Sequence, residues 1–157
     1  EVVIVGEKAA HRQYTSRRSA ITKGLSDKLA DIDGRGIYHT AVAEVSPRLK
    51  FWDEVEEFPA IHLNAGSETR EYQGGGYKDR FLNITIRCYV NQEDSVDALD
   101  ELLEDIETVL EENSRFVYYD RMGLEQFTQQ ITVISIDTDE GVLDPLGVGE
   151  ILIEVRY

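Results

Sequence analysis

The spacing of apolar residues predicts an amphipathic helix near the start of the chain. Within residues 15–32 the apolar positions are separated by four, four and three residues, which places them on one helical face. This stripe consists of Ile21, Leu25, Leu29 and Ile32. Thr15 or Ser16 can cap the start of the helix, and Asp33 with Gly34 follows its end.

A second and stronger helical pattern covers residues 94–112. Its apolar positions form a stripe about a third of the circumference wide, and acidic residues fill most of the remaining surface. The stripe consists of Val96, Leu99, Leu102, Leu103, Ile106, Val109 and Leu110. Asp94 or Ser95 is predicted to cap the helix. Because like charges three or four residues apart repel each other, packing of the stripe must outweigh this repulsion.

Strand patterns occupy much of the remaining sequence. Residues 80–90 give the clearest pattern, because alternate apolar positions share one face. These positions are Leu82, Ile84, Ile86, Cys88 and Val90. The other predicted strands are residues 37–45, 58–64, 67–73, 115–119, 130–136 and 148–157. Residues 46–57 are predicted to form a loop, and Gly74–Gly76 the flexible tip of a hairpin.

This order of elements predicts an α+β fold. Strands follow one another on both sides of a helix, which favours a mostly antiparallel sheet with two main helices packed on one face, in the order α-β-β-β-α-β-β. The length suits one soluble domain over residues 1–157, with residues 1–14 as an extended N-terminal segment. A single layer of this kind has open sheet edges, which assembly into a ring or stack would cover.

The charge is unevenly distributed along the chain. The formal net charge is −15, yet residues 1–36 carry a balance of +2 and residues 91–114 carry a balance of −10. Such a dipolar molecule suits subunits that join through unlike surfaces. The acidity argues against electrostatic binding to nucleic acid or to an anionic membrane. The sequence contains no apolar run of about 18 residues, so no membrane span is predicted. We therefore expect protein partners.

No sequence motif predicts catalysis or cofactor binding. The glycine tip lacks the GxxxxGK[ST] and GxGxxG patterns of phosphate loops, and no GxSxG motif is present. His11, His39 and His62 lack the spacing of zinc ligands. The one cysteine, Cys88, is predicted to be a small core residue, and scarcity of cysteine fits a reducing, intracellular compartment. The sequence predicts a protein that is not an enzyme and needs no cofactor or metal.

Two other classes of protein stay open as alternatives. A small metal-assisted enzyme would use Asp137, Asp139 and Asp144, although the EF-hand spacing is absent there. An acidic inhibitor that mimics DNA would also fit the charge, but we expect it to be monomeric or dimeric.

An aromatic pair in the predicted loop is a candidate partner contact. Phe51 and Trp52 lie beside Arg48 and Lys50, and this composition is enriched at protein interfaces. A small satellite core under the loop explains the pair equally well.

Opposite charges offer a second candidate contact between subunits. Arg70, Lys78 and Arg80 flank the glycine tip, and we hypothesise that they meet the acidic helix of a neighbouring subunit. The acidic candidates on that helix are Asp97, Asp100, Glu101 and Glu104.

Three segments resemble the tail terminator proteins of long-tailed, non-contractile phages, the lambda-like and T5-like group. The segments are FPAIHLNAGSETREYQ, RFLNITIRCYVNQEDSVDALDELLEDIETVLEEN and ITVISIDTDEGVLDPLGVGEILIEVRY. The shared features are a strand that opens with Phe-Pro-Ala, a long strand that ends in Cys-Tyr-Val, an acidic amphipathic helix and a last strand that ends in an aromatic residue. With the first helix included, the resemblance covers residues 15–157.

The resemblance implies a structural role and a set of partners. Members of this family form a hexameric ring that caps the tail tube, stops addition of tube protein and presents a surface to a head-completion or neck protein. DNA passes through the ring without specific binding, and neither a cofactor nor a membrane is involved. The implied location is the tail of the virion, assembled in the cytoplasm of the host bacterium. A neck or head-completion adaptor of similar fold is the alternative.

Overall fold

The computed structural model of the protein describes residues 16–157, and within this range two long helices and seven strands form. The helices are α1 (Arg17–Leu29) and α2 (Ser95–Glu112). The strands are β1 (Glu44–Ser46), β2 (Ala60–Tyr72), β3 (Lys78–Asn91), β4 (Val117–Tyr119), β5 (Glu125–Phe127), β6 (Gln130–Thr138) and β7 (Leu146–Arg156).

Five of the strands form one sheet in the order β1-β2-β3-β7-β6. β1 runs parallel to β2, and every other neighbouring pair in this sheet is antiparallel. β4 and the unpredicted β5 form a separate hairpin. Both helices contribute to one core on one face of the large sheet, and this confirms the predicted α+β fold.

The main hydrophobic core lies between the two helices and one face of the sheet. Side chains alternate between the two faces of a strand, so every second residue of β3 and of β7 enters this core. Leu82 pairs with Val155 and Ile86 with Ile151 across the two strands. The predicted apolar stripe of α1 and the alternating apolar residues of β3 are all buried here, as the sequence predicts.

The opposite face of the sheet carries a second, smaller apolar cluster. Val55, Ala60 and Tyr89 are buried there, and Phe58 and Val148 pack against them. The cluster joins the loop between β1 and β2 to the sheet, so a satellite core does form under this loop.

The predicted strand over residues 37–45 is wrong in its extent. Only Glu44–Ser46 pairs with the sheet. The preceding backbone is held by α2, because the N–H groups of His39 and Thr40 donate to the carboxylate of Asp105 at 2.8–3.0 Å. A side chain far away in sequence therefore satisfies these donors in place of a neighbouring strand.

β2 is one long strand where the sequence predicts two, residues 58–64 and 67–73. Its pairing with β3 continues to the hairpin tip, with a shift of register between Ala65 and Glu68. A β-bulge of this kind adds a residue to one strand and disturbs the alternation of side chains. The disturbed alternation explains why the pattern indicates a break.

The start of α2 is capped by a residue from another part of the chain. Asp94 occupies the N-cap position with a φ of 59°, and its side chain makes no capping hydrogen bond. The N–H and hydroxyl of Ser95 instead donate to Oδ1 of Asp144, at 3.2 and 2.6 Å. At α1 the prediction holds, since Ser16 accepts the cap hydrogen bond, while Thr15 lies outside the described residues.

Candidate functional site

Acidic residues are concentrated in one half of the molecule. Residues 91–114 and 130–155 contain α2, β6 and all but the last residue of β7, and they hold sixteen Asp and Glu and no Lys or Arg. The sheet order places β7 and β6 side by side at one edge, and α2 packs on β7. The rest of the chain holds fifteen Asp and Glu against sixteen Lys and Arg. The charge asymmetry of the sequence is thus also an asymmetry in space.

The free edge of this half combines acid with exposed apolar side chains. β6 pairs with β7 on one side only, and Val133 and Ile136 on its helix-facing side are each 38% exposed. Val96 was predicted to belong to the buried stripe of α2, but it is 46% exposed and faces Gly141. We call this surface the acidic edge, and it consists of Val96, Asp100, Glu107, Val133 and Ile136.

The acidic residues of α2 in this surface share its helical face. Asp100 and Glu107 follow Val96 by four and eleven residues, and such spacings place side chains one above another. Leu103, which lies between them on this face, is directed to Gly149 of β7. The face therefore borders the outer strands of the sheet.

The opposite edge of the sheet, where β1 and β2 lie, carries a groove with positive charge. It has a volume of about 350 Å³ and lies between α1, the start of the loop after β1, and β2. Its charged residues are Arg18, Lys23 and Arg48, and none is acidic. We call this surface the basic groove; its other lining residues are Ser16, Ser19, Thr22, Pro47, Asn64 and Ala65. Arg48 is the predicted contact residue that the structure places here.

The predicted glycine tip ends a hairpin formed by β2 and β3. Gly75 and Gly76 have φ values of 78° and 83°, a left-handed conformation that favours glycine. Tyr72 and Tyr77, on either side of the turn, are exposed. The prediction of a hairpin tip is confirmed.

The predicted basic contacts of this hairpin have partners within the chain. Arg70 donates from Nε to a carboxylate of its own strand at 2.8 Å. Nζ of Lys78 lies 5.7 Å from the ring centroid of Tyr72, and the guanidinium of Arg80 lies 5.6 Å from that of Tyr157. Contact between these bases and the acidic helix of a neighbour stays a prediction.

The predicted acidic contacts are all exposed on α2; they are Asp97, Asp100, Glu101 and Glu104. A hydrogen bond with Glu104, whose Oε1 lies 3.3 Å from Nε2 of His39, raises the pKa of this histidine. The charge of Asp94 is the main cause that raises the pKa of Asp97. Among residues 16–157 no ion pair joins these acids to the basic hairpin residues.

Phe51 lies beside an apolar pocket on the helix-free face of the sheet. It is 75% exposed and does not belong to the satellite core, and its role at an interface stays a prediction. The pocket has a volume of about 590 Å³, and its lining residues are Lys50, Phe51, Arg87, Tyr89, Leu143, Leu146, Val148 and Glu150. The side chain of Trp52 lies outside the described part of the structure, so its predicted role stays a prediction.

His62 is buried at the start of β2 and binds the outermost strand of the sheet. Its Nε2 lies 2.8 Å from Oε2 of Glu44 in β1, and its ring packs 5.3 Å from that of Tyr89. Burial would raise the pKa of Glu44, but the hydrogen bond with His62 and the charge of Lys50 outweigh burial and lower it. This pair stabilises the short parallel contact of β1 with β2.

Asp105 is the acidic residue of α2 whose role the sequence analysis missed. It is buried, unlike the acids around it. Its carboxylate accepts hydrogen bonds from the backbone N–H groups of His39 and Thr40 in the loop before β1. The sequence feature that indicates its burial is its spacing of three residues from Leu102 and four from Val109, which places it at the border of the apolar stripe.

The residues considered for chemistry have structural roles. Burial raises the pKa of the Cys88 thiol to about 12, the opposite of what an activated nucleophile needs. Asp139 accepts the N–H of Leu143 at 3.3 Å, and Asp144 caps α2. Among residues 16–157, no three His, Cys, Asp or Glu side chains are grouped in a way that could hold a metal ion. None of the helices in the described range has the length and apolar composition needed to cross a bilayer.

This α+β scaffold carries an acidic edge and, at the other edge of its sheet, a basic groove, and surfaces of this kind suit electrostatically complementary contacts between proteins. Residues 15–157 match the family described as Bacteriophage Tail Tube Terminator Protein, and the chain belongs to this family. It is also 28% identical over 149 residues to tail tube terminator protein p142 of Escherichia phage T5, with 89% of this chain and 92% of that protein covered. The family predicted from the sequence is confirmed, and the chain is a structural protein of the phage tail, not an enzyme.

Proposed function

We propose that this chain forms a hexameric ring at the end of the tail tube of a non-contractile phage tail. The ring stops the addition of tube protein and presents its other face to a head-completion or neck protein. Family membership supports the association with the tail tube. Assembly takes place in the cytoplasm of the host bacterium, before the tail joins the head.

The observation that carries this proposal is the opposite charge of the two edges of the sheet. A contact between two different surfaces of the same chain is heterologous, and such contacts form a closed ring when the rotation between subunits closes. The acidic half, with sixteen acids and no base, and the basic groove are suitable partners for a contact of this kind.

The acidic composition also supports the proposed passage of DNA through the ring. Binding to the phosphate backbone depends on clustered Lys and Arg that displace counterions. A chain with a net charge of −15 repels the duplex, so DNA slides past without being held. We expect no measurable binding of duplex DNA at physiological salt in a filter-retention or anisotropy assay.

Growth of tail tubes in the presence of this chain tests the proposed function. Purified tube protein is allowed to polymerise, and the purified chain is added part-way. We expect tube length to stop increasing while untreated tubes continue to grow, as measured in negative-stain images.

Two results, one from this experiment and one from a binding assay with head connectors, would contradict a terminator. Tubes that lengthen at the same rate with and without the chain would show that it does not stop elongation. Binding to head connectors but not to tube ends would identify the alternative, a neck or head-completion adaptor.

A further inference from the structure

We propose that the acidic edge of one copy docks into the basic groove of the next copy, and that this contact closes the ring. The inference rests on the proposed function for the existence of a ring, and it identifies the two surfaces that meet. Each copy then uses both surfaces, one toward each neighbour.

The floor of the basic groove offers backbone groups as well as positive charge. β1 pairs with β2 only over the three residues that begin at Ala60, so among the described strands Asn64 and Ala65 pair with β3 on one side and have no strand on the other. These two residues line the groove together with Lys23 and Arg48, which are both exposed. The groove thus presents a strand edge that has no strand partner, next to two exposed cations.

The acidic edge has the complementary features. β6 is nine residues long and has strand pairing on one side only among the described strands. A free edge with exposed apolar side chains such as Val133 and Ile136 is an aggregation risk unless a partner covers it. Asp100 and Glu107 beside it select a positively charged partner. The basic groove combines a strand edge that has no strand partner with the exposed cations Lys23 and Arg48.

The hairpin is the weaker candidate for the same contact. Its three bases already lie against a carboxylate and two aromatic rings of their own chain, as described above. An intermolecular ion pair would have to compete with these contacts. Lys23, in contrast, makes no side-chain hydrogen bond or ion pair within residues 16–157.

Charge reversal tests the proposal. A groove variant carries Lys23→Glu with Arg48→Glu, and an edge variant carries Asp100→Lys with Glu107→Lys. Like charges then face each other in any assembly of one variant with itself. We expect each variant alone to need at least about a tenfold higher concentration for assembly. The measurement is size-exclusion chromatography with light scattering, together with counting of capped tubes in negative stain.

Mixing the two variants gives the sharper result. In the mixture each reversed groove meets a reversed edge, and each native edge meets a native groove, so every contact in an alternating ring is complementary. We expect the equimolar mixture to assemble as the unmodified chain does. A thermal unfolding curve for each variant shows that it is folded before the assembly is measured.

A hairpin variant with Arg70→Glu and Lys78→Glu is the matched control, because it makes the same change in net charge as the groove variant. We expect it to assemble normally. Loss of assembly in the hairpin variant together with normal assembly of the groove variant would overturn the proposal in favour of the hairpin contact.

The outcomes separate this inference from the proposed function. If the unmodified chain caps tubes but the groove and edge variants also do so at the same concentrations, the docking surfaces are wrong and the terminator role stands. If the folded variants lose assembly but their mixture does not regain it, the two surfaces do not meet each other. If the unmodified chain forms no ring in solution or on tube ends, the proposed function fails and the docking contact with it.

Discussion

At the scale of single residues, the acids of α2 have two different structural roles. Most of them are exposed, whereas Asp105 is buried and holds the backbone of the loop before β1. Composition alone does not distinguish the buried acid from the exposed ones among the ten acids of residues 91–114. The distinction depends on the contact with a loop more than sixty residues earlier, which local patterns do not contain.

Replacement of Asp105 tests its structural role. Asp105→Ala leaves the partly buried N–H groups of His39 and Thr40 without this acceptor, so we expect the free energy of unfolding to fall by about 1–3 kcal/mol. Asp105→Asn keeps one acceptor oxygen, so we expect a smaller loss of unfolding free energy. Urea denaturation followed by circular dichroism measures both. Asp100→Ala is the exposed control, and an equal loss in that variant would contradict the assigned role.

The Glu44–His62 pair predicts a dependence of stability on pH. The pKa of Glu44 lies below its ordinary value of 4.5 in the folded chain. Its contribution to stability is therefore fully present above that ordinary value and is lost as the pH falls through the folded pKa. Glu44→Gln removes the contribution at neutral pH, at a cost of about 1–3 kcal/mol for a hydrogen bond to a charged group.

The measurement is the difference in unfolding free energy between the unmodified chain and Glu44→Gln. We expect this difference to be largest near neutral pH and to narrow steadily in acid, as Glu44 becomes protonated. Glu71→Gln, on the exposed hairpin, is the control variant. A difference that widens as the pH falls would contradict the sign of the shift.

At the scale of elements, the long periodic segments are predictable and the short contacts are not. Both helices, β3 and β7 follow from spacing alone, because each buries one continuous face. The extent of β1 and the continuity of β2 are not predictable in this way. β1 depends on its parallel neighbour, and the bulge in β2 depends on the register of β3.

The cap of α2 gives a prediction at this scale. The sequence offers Asp94 or Ser95, but the acceptor is Asp144, from the loop between β6 and β7. Asp144→Ala should destabilise the fold by about 1 kcal/mol, the usual effect of losing a cap. Thermal unfolding measures it, with Asp137→Ala as an exposed control of equal charge. No change in the first variant would mean that the cap contributes nothing.

At the scale of the whole molecule, the sheet order brings the acidic segments together. α2, β6 and β7 come from two separate stretches of the chain, and they become one acidic half because β7 inserts between β3 and β6. The dipolar charge and the family are predictable from the sequence. It does not predict the basic groove, whose residues come from α1, the loop after β1, and β2.

The most direct test of the account is a negative-stain image of the purified chain mixed with tail tubes. We predict rings of about six subunits, each bound to one end of a tube, and a single size of cap. Tubes with bare ends and a chain that stays monomeric at every concentration tested would contradict it.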